Sequence, residues 1–242
     1  MRADGTGVVL KVGVPNPELL TEIEALRLYD GQGTAQLLDA DPERGILLLE
    51  RLTPGTPLST LEDDEQATSI IAAVMRQLWR PVPPEHPFPT VGKWAAGLKK
   101  LRPHFGGTTG PFPRELVERA EALFDELLAS MGEPVLLHGD LHHYNILMAQ
   151  RQPWLAIDPK GLVGEREYEV CALLGNPDRP LTASLLARRI DQLADELGFD
   201  RQRLLRWGVA HAVLSAWWVV EDHGSVPEDA LAFAALLAGL MG

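Results

Sequence analysis

The stretch from Pro134 to Glu169, PVLLHGDLHHYNILMAQRQPWLAIDPKGLVGEREYE, constrains this chain more than any other part of it. Two apolar runs, Val135 to Leu137 and Trp154 to Ile157, have the length of short buried strands, and each runs into a polar cluster that contains an aspartate. Loops presented at strand ends in this way carry chemistry. The two runs are expected to pair as a hairpin laid on a helical scaffold, because helical periodicity surrounds them on both sides.

The polar clusters are His138-Gly-Asp-Leu-His-His-Tyr-Asn145 and Ile157-Asp-Pro-Lys160. An aspartate after one strand, an asparagine five positions on and an aspartate after the next strand bring three oxygen ligands toward one point. Such a set suits Mg²⁺, which takes one or two carboxylates and fills its remaining positions with water and substrate phosphates. Asp140 is then placed to take a proton from a hydroxyl, with Asn145 and Asp158 on the metal. A zinc reading of His138, Asp140, His142 and His143 competes, but it leaves the spacing of Asn145 and Asp158 unexplained.

Upstream, Gly7 to Val12 is β-branched and apolar around Lys11, and Pro15 and Pro17 close that strand. A helix is predicted over Pro17 to Tyr29, with Glu18 in its first turn and Gly31 beyond its end, which puts Glu22 or Glu24 on a helix after the lysine strand. Ala35 to Leu38 and Ile46 to Leu49 are two further strands around the turn Asp41-Pro-Glu-Arg-Gly45. The breaker-rich segment Leu52-Thr-Pro-Gly-Thr-Pro-Leu58 marks a hinge between lobes. Beyond it the periodicity is helical over Asp63 to Leu78, Val91 to Leu101, Pro113 to Met131, Tyr168 to Leu174, Thr182 to Leu197, Asp200 to Asp222 and Pro227 to Met241. The expected class is α+β, with a small sheet-bearing N-lobe over 1–52 and a large, mostly helical C-lobe over 53–242.

Composition sets the outer limits. With 45% apolar and 23% charged residues in 242, the chain is ordinary for a globular protein. Its net charge of -12 disfavours nucleic acid and is compatible with a cationic small molecule. The single cysteine, Cys171, excludes an intrachain disulfide and suits a reducing cytosol, where it is a small buried apolar residue. Met1 to Val14 lacks the pattern of a signal peptide, and no run reaches the length of a membrane span. Oligomeric state is not legible.

The HGDLHHYNIL and IDPKG motifs resemble the catalytic and metal loops of the aminoglycoside phosphotransferase superfamily, which is similar in fold to protein kinases. Within it, IDPKGLVGEREYEVCALLGNP, VLKVG and EALRLYDGQG resemble the streptomycin 6-kinase and hydroxyurea phosphotransferase family over almost the whole chain. The resemblance implies a protein-kinase-like two-lobe fold with an incomplete antiparallel-sheet N-lobe. It implies ATP and Mg²⁺, Asp140 as catalytic base, Asn145 and Asp158 as metal ligands, Lys11 on the nucleotide phosphates and Glu22 as its ion-pair partner. Glu50 to Leu52 would face adenine through backbone groups. His138 is expected to brace the loop, and Lys160 either contacts phosphate or anchors its own loop. The acceptor is placed between the catalytic loop and the C-terminal helices, where Glu165, Glu169, Trp217, Glu221 and Asp222 could meet a cationic group such as a guanidinium. The tryptophans as core and the acids as solvated helix ends are the plainer alternative.

Relatives carry further N-terminal strands and a loop that covers the nucleotide phosphates, whereas Met1 stands ten residues before Lys11 here. The chain therefore reads as N-terminally truncated. Two functions follow: an ATP-dependent kinase of a small polar hydroxyl compound, such as streptomycin, or a weak or inactive homologue that binds a ligand or partner.

Overall fold

A computed structural model describes residues 7–177, 180–225 and 228–241. The chain forms two compact units, one from Met1–Phe88 with Pro134–Val163, the other from Pro89–Glu133 with Gly164–Gly242.

In the first unit, β1 (Val8–Val12), β2 (Leu37–Asp41) and β3 (Ile46–Glu50) form an antiparallel sheet in the order β1-β3-β2, with Lys11 opposite Leu47. Between β1 and β2 runs α1 (Pro17–Tyr29). Its ends follow from local chemistry: Asn16 accepts the Leu19 N–H at 2.8 Å, Pro17 fits the first turn, and Asp30 ends the helix in the left-handed region. Leu19, Ile23 and Leu26 on one face of the helix pack against Leu47 and Leu49 of the sheet. Truncating a buried residue such as Ile23 costs about 2–5 kcal/mol. Glu22, three residues after Leu19 and four before Leu26, flanks this buried face and reaches the β1 lysine. Gly45 ends the β2–β3 turn at φ 69°, where an added Cβ would lie 1.9 Å from the Gly13 carbonyl oxygen, so only glycine fits. The strand expected to begin at Ala35 begins later, because the Ala35 N–H donates instead to the Ala156 carbonyl.

The same unit contains α2 (Asp64–Leu78), capped by Asp63, and four short strands: β4 (Val135–Leu137), β5 (Ile146–Met148), β6 (Trp154–Ala156) and β7 (Leu162–Gly164). The expected hairpin of Val135–Leu137 with Trp154–Ile157 does not form. β4 pairs with β7, and β6 pairs antiparallel with β5, Leu147 opposite Leu155. Three-residue strands such as β5 and β7 are too short to show a period, so the true partners were invisible in the sequence.

In the second unit the helices are α3 (Val91–Ala95), α4 (Leu101–His104), α5 (Arg114–Ala129), α6 (Cys171–Leu174), α7 (Ala183–Leu197), α8 (Arg201–His223) and α9 (Glu228–Gly239). α8 is the hub, packing on α5, α6, α7 and α9, with Trp207 and Trp217 fully buried. The single helix expected over Val91 to Leu101 is instead α3, a 3₁₀ stretch over Ala96–Lys100 and α4. The helix expected from Tyr168 likewise starts as a 3₁₀ turn at Arg166. Pro227, the expected start of the last helix, lies outside the described residues. No helix among the described residues is long and apolar enough to cross a membrane.

Candidate active site

Residues singled out in the sequence meet in the first unit, in a cleft of about 350 Å³ lined by Lys11, Glu18, Glu22, Asp140, His142, Asn145, Asp158 and Lys160. β1 delivers Lys11 and α1 delivers Glu22, whose Oε1 accepts from the Lys11 ammonium at 2.7 Å. The structure thereby decides between the two helical glutamates, since Glu24 pairs with Arg27 on an outer face. Lys11 also donates to Asp158 Oδ1 at 3.1 Å, across 147 positions of sequence. Burial alone would lower the Lys11 pKa, but the two carboxylates more than offset it, so the net shift is upward and the ammonium stays charged. Burial pushes the Glu22 carboxyl up, and Lys11 offsets only part of that.

Asp158 holds a left-handed conformation at φ 57°, which is strained for a residue with a side chain though least so for Asp and Asn. Three residues later Gly161 stands at φ 68°, where an added Cβ would come 2.8 Å from Phe88 and 2.9 Å from the Thr21 carbonyl oxygen. The loop is thus pressed against α1 and cannot relax without losing that packing.

The loop after β4 is braced by His138. Its Nδ1 accepts the Asp140 N–H at 3.3 Å and its Nε2–H donates to the Ile157 carbonyl at 2.8 Å, tying the two aspartate loops together. Burial lowers the His138 pKa to about 4, so the ring is neutral. Asn145 Nδ2 donates to the Asp140 carbonyl at 2.9 Å, which leaves Oδ1 as the acceptor end of the amide. Burial raises the Asp140 carboxyl above the usual range, with His142 and Lys160 pulling it back and Asp158 pushing it further. His142 Nε2 stands 3.6 Å from Asp140 Oδ1, and burial lowers its own pKa.

The oxygen set fits a hard cation. Among the described residues no three His, Cys, Asp or Glu side chains converge into a self-sufficient metal centre. One carboxylate, Asp158, and one amide oxygen, Asn145, are the sparse protein contribution that Mg²⁺ accepts when phosphates and water complete it.

Glu50 and Leu52 lie at the end of β3 and just beyond it. The Glu50 carboxylate is held by Arg151, through Nε at 3.1 Å and Nη2 at 2.9 Å, and by the Gln36 N–H at 3.1 Å. Arg151 also donates to the Gly31 and Thr34 carbonyls. Sequence reasoning missed this pin, and no spacing signal joins positions 50 and 151.

The residues expected on the acceptor side belong to the second unit and divide by burial. Glu165 is 3% exposed, and its carboxylate is engaged by Arg203 at 2.6 and 2.8 Å, by the Gly132 N–H at 3.0 Å and by the Trp207 indole N–H. Glu169 and Trp217 are also buried. For Trp217 this is the plainer alternative, a core tryptophan, whereas Glu165 and Glu169 are interior acids and not solvated helix ends. Glu221, paired with Lys100 at 3.1 Å, and Asp222 are exposed at the C-terminal end of α8.

A small antiparallel sheet with one helix, a lysine–glutamate pair, and paired aspartate loops followed by a helical remainder make a kinase-like α+β fold. A choline/ethanolamine kinase family protein from Mesorhizobium loti matches it with a TM-score of 0.72 at 14% identity, over 98% of this chain and 82% of that one. The aminoglycoside phosphotransferase APH(4)-Ia, solved as a ternary complex with ADP and hygromycin B, matches at 0.67 and 15% identity, over 98% and 88%.

The sequence places the chain more narrowly. It belongs to the aminoglycoside/hydroxyurea antibiotic resistance kinase family, whose profile matches residues 1–223. A hydroxyurea phosphotransferase of Kitasatospora aureofaciens is 38% identical over 246 residues, spanning 100% of this chain and 71% of the relative. A streptomycin 6-kinase of Streptomyces glaucescens is 34% identical over 235 residues, spanning 95% and 76%. The protein is a small-molecule kinase.

Proposed function

We propose that this chain transfers the terminal phosphoryl group of ATP to a hydroxyl of a small polar acceptor, an aminoglycoside such as streptomycin or a related metabolite. The observation that carries the reading is the Glu22–Lys11–Asp158 chain of ion pairs, which joins β1, α1 and the second aspartate loop at one wall of the cleft that Asp140 and Asn145 also line.

In this reading Lys11, oriented by Glu22, binds nucleotide phosphates, and the backbone of Glu50 to Leu52 meets the adenine. Asn145 and Asp158 would hold Mg²⁺, which when bound screens phosphate charge. That screening is needed, because Glu18, Glu22, Asp140 and Asp158 would otherwise repel a triphosphate. Asp140 takes the proton of the acceptor hydroxyl as its oxygen bonds to the terminal phosphorus. The bond from that phosphorus to the bridging oxygen breaks, leaving a phosphate monoester and ADP. Partial burial makes Asp140 a stronger base than an exposed aspartate. For a cationic acceptor we propose Glu221 and Asp222, the exposed carboxylates of the expected set. We propose 1–52 for nucleotide binding and 53–242 for catalysis and acceptor binding, a functional division that does not coincide with the two compact units, and a cytosolic location.

The test is ADP release from Mg-ATP across streptomycin, other aminoglycosides and hydroxyurea. Turnover with a hydroxyl-bearing acceptor, abolished by Asp140→Asn, is the expected result. No turnover with any of them, from folded protein, overturns the reading.

A further inference from the structure

Among the described residues the cleft has two lysines, and they are held in opposite ways. The Lys11 ammonium lies between two carboxylates, Glu22 at 2.7 Å and Asp158 at 3.1 Å, so its place is determined before any substrate arrives. Lys160 is tethered at its backbone instead: its N–H donates to the His138 carbonyl at 2.8 Å, and the next residue is the Gly161 packed against Thr21 and Phe88. Its ammonium, however, among the described residues pairs with Glu18 alone, at 3.4 Å, and the Glu18 side chain is 77% exposed. An ion pair with so exposed a partner is weak and readily exchanged.

A lysine with a fixed root and a loosely paired tip, lining the same cleft as the general base, is suited to follow charge that moves. Its charge is felt at Asp140 and at Glu22, so it lies within electrostatic reach of both the proton acceptor and the Lys11 pair. Neither the Lys11 pairing nor the loop anchoring requires the Lys160 ammonium, since the backbone bond and Gly161 hold the loop.

We propose that Lys160 leaves Glu18 when nucleotide binds and donates to an oxygen of the terminal phosphoryl group, making it a second catalytic cation beside Lys11. The inference rests on the phosphoryl-transfer reading above. As the acceptor oxygen bonds to phosphorus, the bond to the bridging oxygen breaks and the hydroxyl proton passes to Asp140. The charge then shared among the phosphoryl oxygens and the departing ADP is where a mobile ammonium is most effective. Lys160 itself neither gains nor loses a proton.

Binding and turnover test this separately on the full chain. For Lys160→Met we expect affinity for Mg-AMP-PNP to fall roughly tenfold while affinity for Mg-ADP is unchanged, because only the former has a terminal phosphoryl group at that position. We expect kcat to fall on the order of a hundredfold with the acceptor KM unchanged, and Lys160→Arg to recover part of both. Glu18→Gln, which removes a cleft carboxylate and the resting partner of Lys160, should lower neither quantity. If Lys160 only anchors its loop through Glu18, Glu18→Gln will reproduce the Lys160→Met defect. That result overturns the proposal, as does equal loss of Mg-ADP and Mg-AMP-PNP affinity. Wild-type protein that discriminates the two nucleotides through Lys160 but turns over no acceptor would sink the reaction reading and leave the phosphate contact standing. Wild-type turnover with unchanged Lys160→Met kinetics does the reverse.

Discussion

Asp158 and Glu165 are seven residues apart in one loop-rich run, yet their surroundings are opposite. Glu165 is saturated: a guanidinium, an indole N–H and a backbone N–H satisfy its oxygens inside the second unit. Asp158 is half exposed, sits in a strained backbone conformation and has a lysine on one oxygen. Asp140 also stands at the cleft wall, its pKa raised by burial and His142 Nε2 3.6 Å from its Oδ1. An acid that fixed donors fully satisfy holds structure, whereas one left partly satisfied at a cleft wall retains capacity for a ligand or a proton.

Substitution should separate the two kinds of acid. Asp140→Asn is expected to lower turnover by about 10²–10⁴-fold, with nucleotide affinity and melting temperature close to wild type. Steady-state ADP release beside thermal melts checks both; a large loss of stability would place Asp140 with Glu165 instead. Glu165→Ala should show the opposite signature. Removing one partner of a buried ion pair leaves Arg203 and the Trp207 N–H without their acceptor, and we expect a loss of about 3 kcal/mol in urea unfolding.

The units should behave alike toward acid, because each buries a histidine. His138 in the first and His211 in the second both have pKa values lowered by burial to about 4, against 6.5 in an unfolded chain. Above 6.5 neither state takes a proton there and the stability is fully present. As pH falls from 6.5 toward 4 the unfolded state binds protons that the native state refuses, so stability is lost, by roughly 3 kcal/mol for each ring at most. Urea unfolding as a function of pH should show this slope, and His211→Gln should reduce it. The smallest effect is expected at the surface: Lys100→Met, breaking the pair with Glu221, should change stability by less than about 1 kcal/mol. A larger loss would mean that the C-terminal end of α8 is held by that pair.

Much of this was legible in order along the chain. α1 appears where Pro17, Glu18 and Gly31 place it, because helix-end signals are local chemistry. The long helices α7 and α8 start at Thr182 and Asp200 caps for the same reason. The strands β5 and β7 were not legible, being three residues each, and so the pairing of β4 and β6 was misread.

The sequence by itself determined which residue types exist to do chemistry and in what order, since Asp140, Asn145 and Asp158 lie in one short span and the capping signals around them need only near neighbours. Tertiary structure alone decided which acids face a cleft and which are interior. Arg203 finds Glu165 across 38 positions, Arg151 finds Glu50 across 101, and Lys11 finds Asp158 across 147. Charge pairing over such separations depends on how strands and helices pack, and no local pattern of residues encodes it.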